Sequence, residues 1–204
     1  FGNLERPTYR NTSWDAARFE VCGHKWADLS ENSSGVSLLN DCKYGYSIKK
    51  GDMSLTLIKS GTYPNEDADI GEHRFTYSIY PHAGRWQEAK TVEMAYNLNV
   101  PMPVKRIGKQ KGCGEEYDSF LHCDKESCFI EVIKKAEDGD GVIVRMYENK
   151  NNRVRAHITS GRALVHVYEC NLLEEKEAEL TVCGTTFETV FKPYEIKTFR
   201  LIFA

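Results

Sequence analysis

The sequence predicts an all-β protein of two domains with one short helix between them. The first observation is that apolar and polar residues alternate within residues 35–60, which is the period of a half-buried strand. The second is a series of short apolar segments after residue 119, separated by turn residues, which is typical of a β-sandwich. The third is that apolar residues follow a convincing helical spacing only at residues 86–96.

The composition is that of an ordinary globular protein. The chain has 204 residues, of which 41% are hydrophobic and 28% are charged, and its net charge is −3. That charge argues against a nucleic-acid partner, which would require a basic stripe. No apolar segment approaches the roughly 20 residues of a transmembrane helix, so no membrane partner is expected. The chain starts at Phe1 without an initiator Met or a signal peptide, and we expect it to be a fragment or a processed product.

The first half contains alternating segments joined by polar loops. Residues 1–14 are polar and are predicted to form a loop. Gly51 is expected to supply the positive φ of a tight turn at residues 50–52, and residues 81–84 are expected to end a strand. Strands are predicted at residues 17–27, 36–39, 44–48, 53–58 and 73–80.

A long polar loop precedes the last of these strands and is the candidate site of the chain. It contains Asp67, Asp69, Glu72 and His73. Carboxylates in such a group can perform acid–base chemistry or bind a hard cation, and long loops are often functional. Acidic residues in a surface loop are, however, most often only solvated, and the spacing is not that of an EF-hand.

The second half begins after a predicted linker at residues 99–118, which contains two prolines, several glycines and a basic run. The domains are therefore predicted at residues 1–98 and 119–204. In the second domain, strands are predicted at residues 120–123, 129–134, 142–147, 154–158, 164–168, 180–182, 187–191 and 196–203.

Seven cysteines occur without a scaffold pattern, and reduced thiols in a cytoplasmic protein are the simpler interpretation. Cys113, Cys123 and Cys128, with His122 as a fourth ligand, could suggest a metal site, but their spacing lacks the paired C-x2-C of a structural zinc site. We therefore predict no metal ligand in the chain.

No catalytic motif is present. GxSxG, Walker-type and HExxH patterns do not occur. His82 precedes Gly84 and Trp86, and such a turn could contact a sugar, although a turn that packs on its own helix is the simpler interpretation. The residues alone thus indicate a two-domain β protein and assign no catalytic residue.

Several long motifs nevertheless resemble the C-terminal half of the glycoside hydrolase family 38 α-mannosidases, in the cytosolic and bacterial branch. The motifs include RPTYRNTSWD, HKWADLSE, LLNDCKYGY, ADIGEHRFTY and YPHAG, and the match continues at residues 98–101, 131–138, 144–148, 171–174 and 192–199. The sequence departs from the family pattern at Tyr9, where His is usual, and at residues 32–34, where an aromatic residue is common.

The resemblance implies an exo-acting, retaining α-mannosidase that removes terminal mannose from oligosaccharides by means of two carboxylates. It also implies a zinc ion, but the zinc ligands and the nucleophile belong to an N-terminal domain whose motifs this sequence lacks. The 204-residue chain alone is therefore expected to be inactive. The first domain is expected to be the end of a supersandwich like that of galactose mutarotases, and the second a smaller β-sandwich.

The resemblance also bears on the acidic loop. In the Golgi and lysosomal branches, a loop of the supersandwich supplies an Arg near the sugar, but residues 62–73 lack the RRLxxDDxRG pattern of those branches. Asp67, Asp69, Glu72 and His73 are thus predicted only as substrate-side contacts. The alternatives are a free-standing carbohydrate-binding module and a purely structural β-sandwich. We expect the chain to associate with the N-terminal catalytic domain and to form a homo-oligomer.

Overall fold

The computed structural model describes residues 1–109, 111–112 and 118–204, and the chain divides into two compact units. The first unit comprises residues 5–107, and the second comprises residues 1–4 and 108–204. The predicted linker includes residues 110 and 113–117, which lie outside the described residues. The domain boundaries drawn from the sequence therefore stay a prediction.

The first unit contains two small antiparallel sheets and two helices. Its elements are α1 (Ser13–Ala17), β1 (Val21–Cys22), β2 (Trp26–Ser30), β3 (Ser34–Asn40), β4 (Gly45–Lys49), β5 (Asp52–Thr56), β6 (Tyr77–Ala83) and α2 (Thr91–Asn99). The strand order is β1-β4-β5 in one sheet and β2-β3-β6 in the other. Helix α2 buries Thr91, Val92 and Ala95.

Helix α1 was not predicted, because it depends on a local cap rather than on apolar periodicity. The Asp15 backbone N–H donates to the Thr12 hydroxyl (3.1 Å), and the Asp15 carboxylate accepts from the Thr12 N–H (3.1 Å). This reciprocal capping box stabilises the first turn of a helix. The expectation of a loop through residue 14 and of one strand at residues 17–27 was therefore wrong: the helix comes first, and two short strands follow it.

Two further expectations were wrong at turns. Lys50, and not Gly51, takes the left-handed conformation between β4 and β5, with a φ of 56°. The Lys50 N–H donates to the Thr8 carbonyl (3.0 Å), which fixes this backbone from outside the hairpin. Residues 81–83 continue strand β6 instead of ending it, because Pro81 and His82 pair with Val36 and Gly35 of β3.

The second unit is a β-sandwich. Its strands are β7 (Leu121–Cys123), β8 (Cys128–Lys135), β9 (Val142–Glu148), β10 (Val154–Ser160), β11 (Leu164–Cys170), β12 (Lys176–Leu180), β13 (Val182–Cys183), β14 (Thr186–Phe191) and β15 (Ile196–Phe203). They form a four-stranded sheet, β13-β14-β10-β7, and a five-stranded sheet, β12-β11-β15-β9-β8. The all-β prediction is thus confirmed, except that the described residues contain two helices instead of one.

The core of the sandwich lies between the two sheets. Alternate residues of β10 and β14 are buried while their neighbours face solvent, which is the period of two of a strand. Phe199 of the larger sheet packs at 5.2 Å from Phe187 and at 6.4 Å from Phe191, between ring centroids. Apolar side chains from both sheets therefore form one continuous layer.

The carboxylate of Glu148 is buried at the end of β9 and joins three backbone segments. It accepts hydrogen bonds from the N–H groups of Lys150 (2.8 Å), Asn152 (3.0 Å) and Tyr194 (3.1 Å). The turn after β9 is thereby fixed against the turn before β15. The N-terminal residues reach the same region, where the Tyr194 hydroxyl donates to the side chain of Asn3 (2.6 Å).

Within the described ranges, no helix is long and apolar enough to cross a membrane.

Candidate functional site

The predicted site lies in the segment between β5 and β6, and its four side chains are exposed. The His73 ring N–H donates to the Asp69 carbonyl (2.7 Å), and Glu72 pairs with Arg74 (2.7 Å). Among the residues that the structure describes, the carboxylates of Asp67 and Asp69 have no hydrogen-bond partner. The four side chains therefore do not bind one another as a catalytic pair, and a contact with substrate stays a prediction.

The end of this loop is anchored by residues 41–43, which directly follow β3. The Asp41 carboxylate accepts from the Thr76 N–H (2.9 Å), and this hydrogen bond is the main reason that the pKa of Asp41 is lowered. The ammonium group of Lys43 lies 4.8 Å from the centroid of the Phe75 ring. These contacts fix the point where the loop enters β6 while its tip stays exposed.

Asn40, the last residue of β3, holds the turn that leads from β3 to β4. The Asn40 side-chain oxygen accepts from the N–H groups of Cys42 (3.1 Å) and Lys43 (2.5 Å), and its amide group donates to the Tyr46 hydroxyl. Burial raises the pKa of Tyr46 to about 12, so its hydroxyl stays protonated and can hold this bond. The turn before β4 is therefore specified by side chains and not by glycine alone.

A buried polar network lies between α2 and the β2-β3-β6 sheet, and sequence reasoning did not find it. Asp28 Oδ2 accepts from His82 Nε2 (2.7 Å) and from the Ser37 hydroxyl (2.7 Å), and Ser37 also lies 2.9 Å from the Thr91 hydroxyl. The side chains of Asp28 and His82 are only 4% and 2% exposed. The one available signal was that polar residues interrupt apolar strand patterns at Asp28 and Ser37.

The network has the residue types of a Ser-His-Asp triad but not its arrangement. In such a triad the serine hydroxyl donates to the histidine, whereas here Ser37 and His82 both donate to Asp28. Ser37 is fully buried, so a substrate cannot reach its hydroxyl. Gly35 makes room for the network, since a Cβ there would lie 2.6 Å from the His82 ring. The network positions α2 on the sheet.

The opposite face of this sheet is apolar and exposed. Register places it on the side away from α2, because strand neighbours alternate between faces. Ile79 is 67% exposed and Tyr77 is 54% exposed. We call this surface the open face, and its residues are Leu29, Val36, Leu38, Tyr77, Ile79 and Pro81.

A polar cleft of about 410 Å³ lies in the second unit, where the turns after β8 and β11 meet. The guanidinium of Arg200, which is buried, donates to the Asp138 carboxylate (2.6 Å) and to the Glu174 carbonyl (3.0 Å). Glu174 in turn binds Lys134 (2.7 Å). Two segments that resemble the family sequence, residues 131–138 and 171–174, are thus held together by paired charges around the cleft.

The described residues form no group of three or more His, Cys, Asp or Glu side chains that could hold a metal ion. Cys113, one of the four possible ligands suggested by the sequence, lies outside the described residues. His122 and Cys123 are neighbours on β7, so their side chains point to opposite faces of the sheet.

Comparison with known proteins identifies two family models in the chain. Residues 1–67 match the glycosyl hydrolases family 38 C-terminal domain, and residues 128–199 match the family 38 C-terminal β-sandwich domain. Alpha-mannosidase G of Dictyostelium discoideum is 43% identical over 99% of the chain, and the alpha-mannosidase of Saccharomyces cerevisiae is 35% identical over all of it. The chain spans about a fifth of these relatives' length, 19% and 20% respectively.

Solved structures share the fold. An alpha-mannosidase from Enterococcus faecalis V583 superposes with a TM-score of 0.77 over 98% of the chain and 23% of its own length, at 18% identity. A second family 38 protein from the same species gives a TM-score of 0.70 over 89% of the chain and 22% of its own length, also at 18% identity. The likeness extends over both units.

We predict that Asp28→Ala lowers the free energy of unfolding by roughly 1–3 kcal/mol, because it leaves the buried His82 N–H without an acceptor and removes one of the two hydrogen-bond partners of the buried Ser37 hydroxyl. Chemical denaturation of the 204-residue chain measures the change. Asp52→Ala, the same substitution at an exposed strand position, is the matched control and should change stability by less than about 0.5 kcal/mol. Equal effects of the two substitutions would contradict a structural role for the network.

We also predict a pH-dependent contribution from Asp138. The hydrogen bond from Arg200 lowers the pKa of this carboxyl below its usual value of 3.8. A group with a lowered folded-state pKa stabilises the protein above its unfolded pKa, and it loses that contribution as the pH falls through the folded value. The stability difference between the wild type and Asp138→Asn should therefore be largest near neutral pH and should shrink below pH 3.8. Glu177→Gln, on an exposed position of β12, should show no such trend.

Proposed function

The chain belongs to the C-terminal region of glycoside hydrolase family 38, and from that membership we propose that it is the C-terminal β region of a longer α-mannosidase. The longer enzyme hydrolyses terminal α-linked mannose from oligosaccharides with retention, by means of two carboxylates in an N-terminal catalytic domain. The role of the present chain is to support that domain. The proposed compartment is the cytoplasm, in keeping with the free thiols among the described cysteines.

The single observation that carries this proposal is the open face. A three-stranded sheet whose one side is covered by α2 exposes Val36, Tyr77 and Ile79 on the other. Exposed apolar surface of this kind marks a surface that another protein layer covers. Because the relatives are about five times as long as the chain, the occupant we propose is the remainder of the same polypeptide.

The chemistry is proposed to lie outside the chain. Zinc and the catalytic nucleophile are proposed to belong to the N-terminal domain, as the resemblance to family 38 implies. The carboxylate of Asp28 is occupied by hydrogen bonds from Ser37 and His82, in the layer between the sheet and α2. We therefore assign no catalytic residue to this chain.

The acidic loop is proposed to form part of the wall of the active-site cleft. Its base is fixed by Asp41 and Lys43, and its tip is exposed. A loop on a rigid sheet is a common position for residues that contact a ligand. The carboxylates of Asp67 and Asp69 can accept hydrogen bonds from sugar hydroxyls, because the described residues leave them unpaired.

We predict that the 204-residue chain alone does not hydrolyse an aryl α-mannoside, and that mixing it with the separately produced upstream polypeptide restores hydrolysis. Ile79→Asp should reduce the restored rate about tenfold or more at limiting concentration. Burying an aspartate against an apolar layer costs more than the ~1.4 kcal/mol that corresponds to a tenfold weaker association.

Val165→Asp is the matched control, because Val165 is an exposed aliphatic strand residue of the second unit. It should restore hydrolysis as well as the wild type does. Hydrolysis by the chain alone would overturn the assignment of chemistry to the upstream domain. Oligosaccharide binding by the chain alone, without association, would favour a free-standing carbohydrate-binding module. Self-association that Ile79→Asp abolishes would assign the open face to a second copy.

For the loop, we predict that Asp69→Asn and His73→Gln in the longer enzyme each raise KM for a mannose oligosaccharide by roughly threefold to tenfold. The loss of one hydrogen bond to a ligand is worth about 1 kcal/mol. Steady-state kinetics measure the effect. Glu66→Gln, at an exposed position of the same loop, provides the comparison and should leave KM unchanged. Unaltered kinetics in all three variants would make the loop a scaffold.

A further inference from the structure

Two cysteines face each other across the sandwich of the second unit. Cys123 ends β7 in the four-stranded sheet, and Cys128 begins β8 in the five-stranded sheet. Cys128 is 6% exposed within the core, and the partly buried Cys123 packs against the same cluster. Each thiol is the main cause of the shift in the other's pKa, so the two side chains interact. The pair therefore joins the two sheets at one end of the core.

The connection between them is a short turn that both sheets hold in place. The Cys128 N–H donates to the Lys125 carbonyl (3.0 Å), which closes the turn. The Asp124 N–H donates to the His157 carbonyl of β10 (3.1 Å), and the Asn149 N–H donates to the Ser127 carbonyl (2.8 Å). Because the turn is anchored at both ends, the backbone positions of Cys123 and Cys128 are fixed relative to each other without a covalent bond.

The two thiols differ in character. The hydrogen bond from Cys128 lowers the pKa of Cys123 to about 7, with help from the backbone N–H of Lys125, although burial acts in the opposite direction. The same hydrogen bond, together with burial, raises the pKa of Cys128. Cys123 is therefore the more exposed thiol and the one that ionises first, whereas Cys128 is buried and keeps its proton. A thiolate is the nucleophile in thiol–disulfide exchange.

We propose that Cys123 and Cys128 form a reversible disulfide that crosslinks the two sheets when the chain meets a low-molecular-weight disulfide. In the first step, the Cys123 thiolate attacks one sulfur of the small disulfide, the S–S bond of that molecule breaks, and one small thiolate leaves. In the second step, Cys128 releases its proton to solvent and attacks Cys123 Sγ, and the second small thiolate leaves. The protein loses two electrons, which the small disulfide gains as it becomes two thiolates, and the proton that Cys128 releases passes to solvent.

The second step becomes easier once the first has occurred. The negative charge on Cys123 disappears when the mixed disulfide forms, so the hydrogen bond that holds the proton on Cys128 is lost. The product closes a ring of only six residues, and short rings constrain the unfolded chain less than long ones. The main effect of the crosslink is therefore on the folded chain, where it restrains β7. This strand lies at the edge of its sheet and pairs with β10 through only three residue pairs.

The experiment treats the folded 204-residue chain with oxidised glutathione at pH 7.5, blocks the remaining thiols with iodoacetamide, and maps the peptides by mass spectrometry. We expect a peptide pair linked through Cys123 and Cys128, two hydrogen atoms lighter than the reduced pair, that dithiothreitol separates. In Cys128→Ser, Cys123 should instead retain a glutathione adduct. In Cys123→Ser, the crosslink should be lost and Cys128 should remain without an adduct.

Cys183→Ser is the matched control, because Cys183 is an exposed thiol on β13 of the same four-stranded sheet. It should leave the crosslink unchanged. The wild-type map tests the proposal even if a variant fails to fold. A stable glutathione adduct on Cys123 of the wild type would overturn the proposal, since Cys128 would then have failed to displace it. The proposal would also be overturned if glutathione had modified the exposed Cys183 while iodoacetamide still alkylated Cys123 completely, because Cys123 would then have failed to react with the small disulfide.

Discussion

A carboxylate that is removed from water must have its oxygens satisfied by hydrogen bonds, and each unit depends on one such group. In the first unit Asp28 accepts from Ser37 and His82, which join it from two other strands. In the second unit Glu148 accepts from three backbone N–H groups, one of them in the turn before β15. Each acid connects segments that lie far apart in the sequence, so removing either one would break several of these connections at once.

The buried network and the open face are two consequences of one strand register. Residues alternate between the two faces of a sheet, so Ser37 can turn toward α2 only if Val36 and Leu38 turn away from it. A slip of one residue would bury Val36 against the helix and expose Ser37 on the outer side. The hydrogen bond between Ser37 and Thr91 therefore specifies both how α2 packs and which apolar residues are presented outward.

The sequence was most informative where one physical rule acts alone. The alternating strands β10 and β14 were predicted nearly at their observed bounds, because each needs only one buried face. Reasoning failed where a contact from elsewhere decides the local structure. Lys50 takes a positive φ where Gly51 was expected, and the pairing of His82 with Asp28 spans 54 positions, so it becomes visible only once β2, β3 and β6 are in register. The acidic residues of the loop were located by composition, but composition does not determine what their exposed tip contacts.

The position of that loop nevertheless follows from the sheet. Thr76, whose N–H is held by Asp41, is followed directly by Tyr77, the first residue of β6 and a member of the open face. The loop therefore leaves the sheet at one edge of the apolar surface. A protein layer packed on the open face would therefore lie next to the end of the loop that Asp41 and Lys43 hold in place. The two proposed roles, support of a partner domain and contact with that domain's substrate, are compatible in the same sheet, because the first uses the face that the register presents outward and the second uses the loop anchored at its edge.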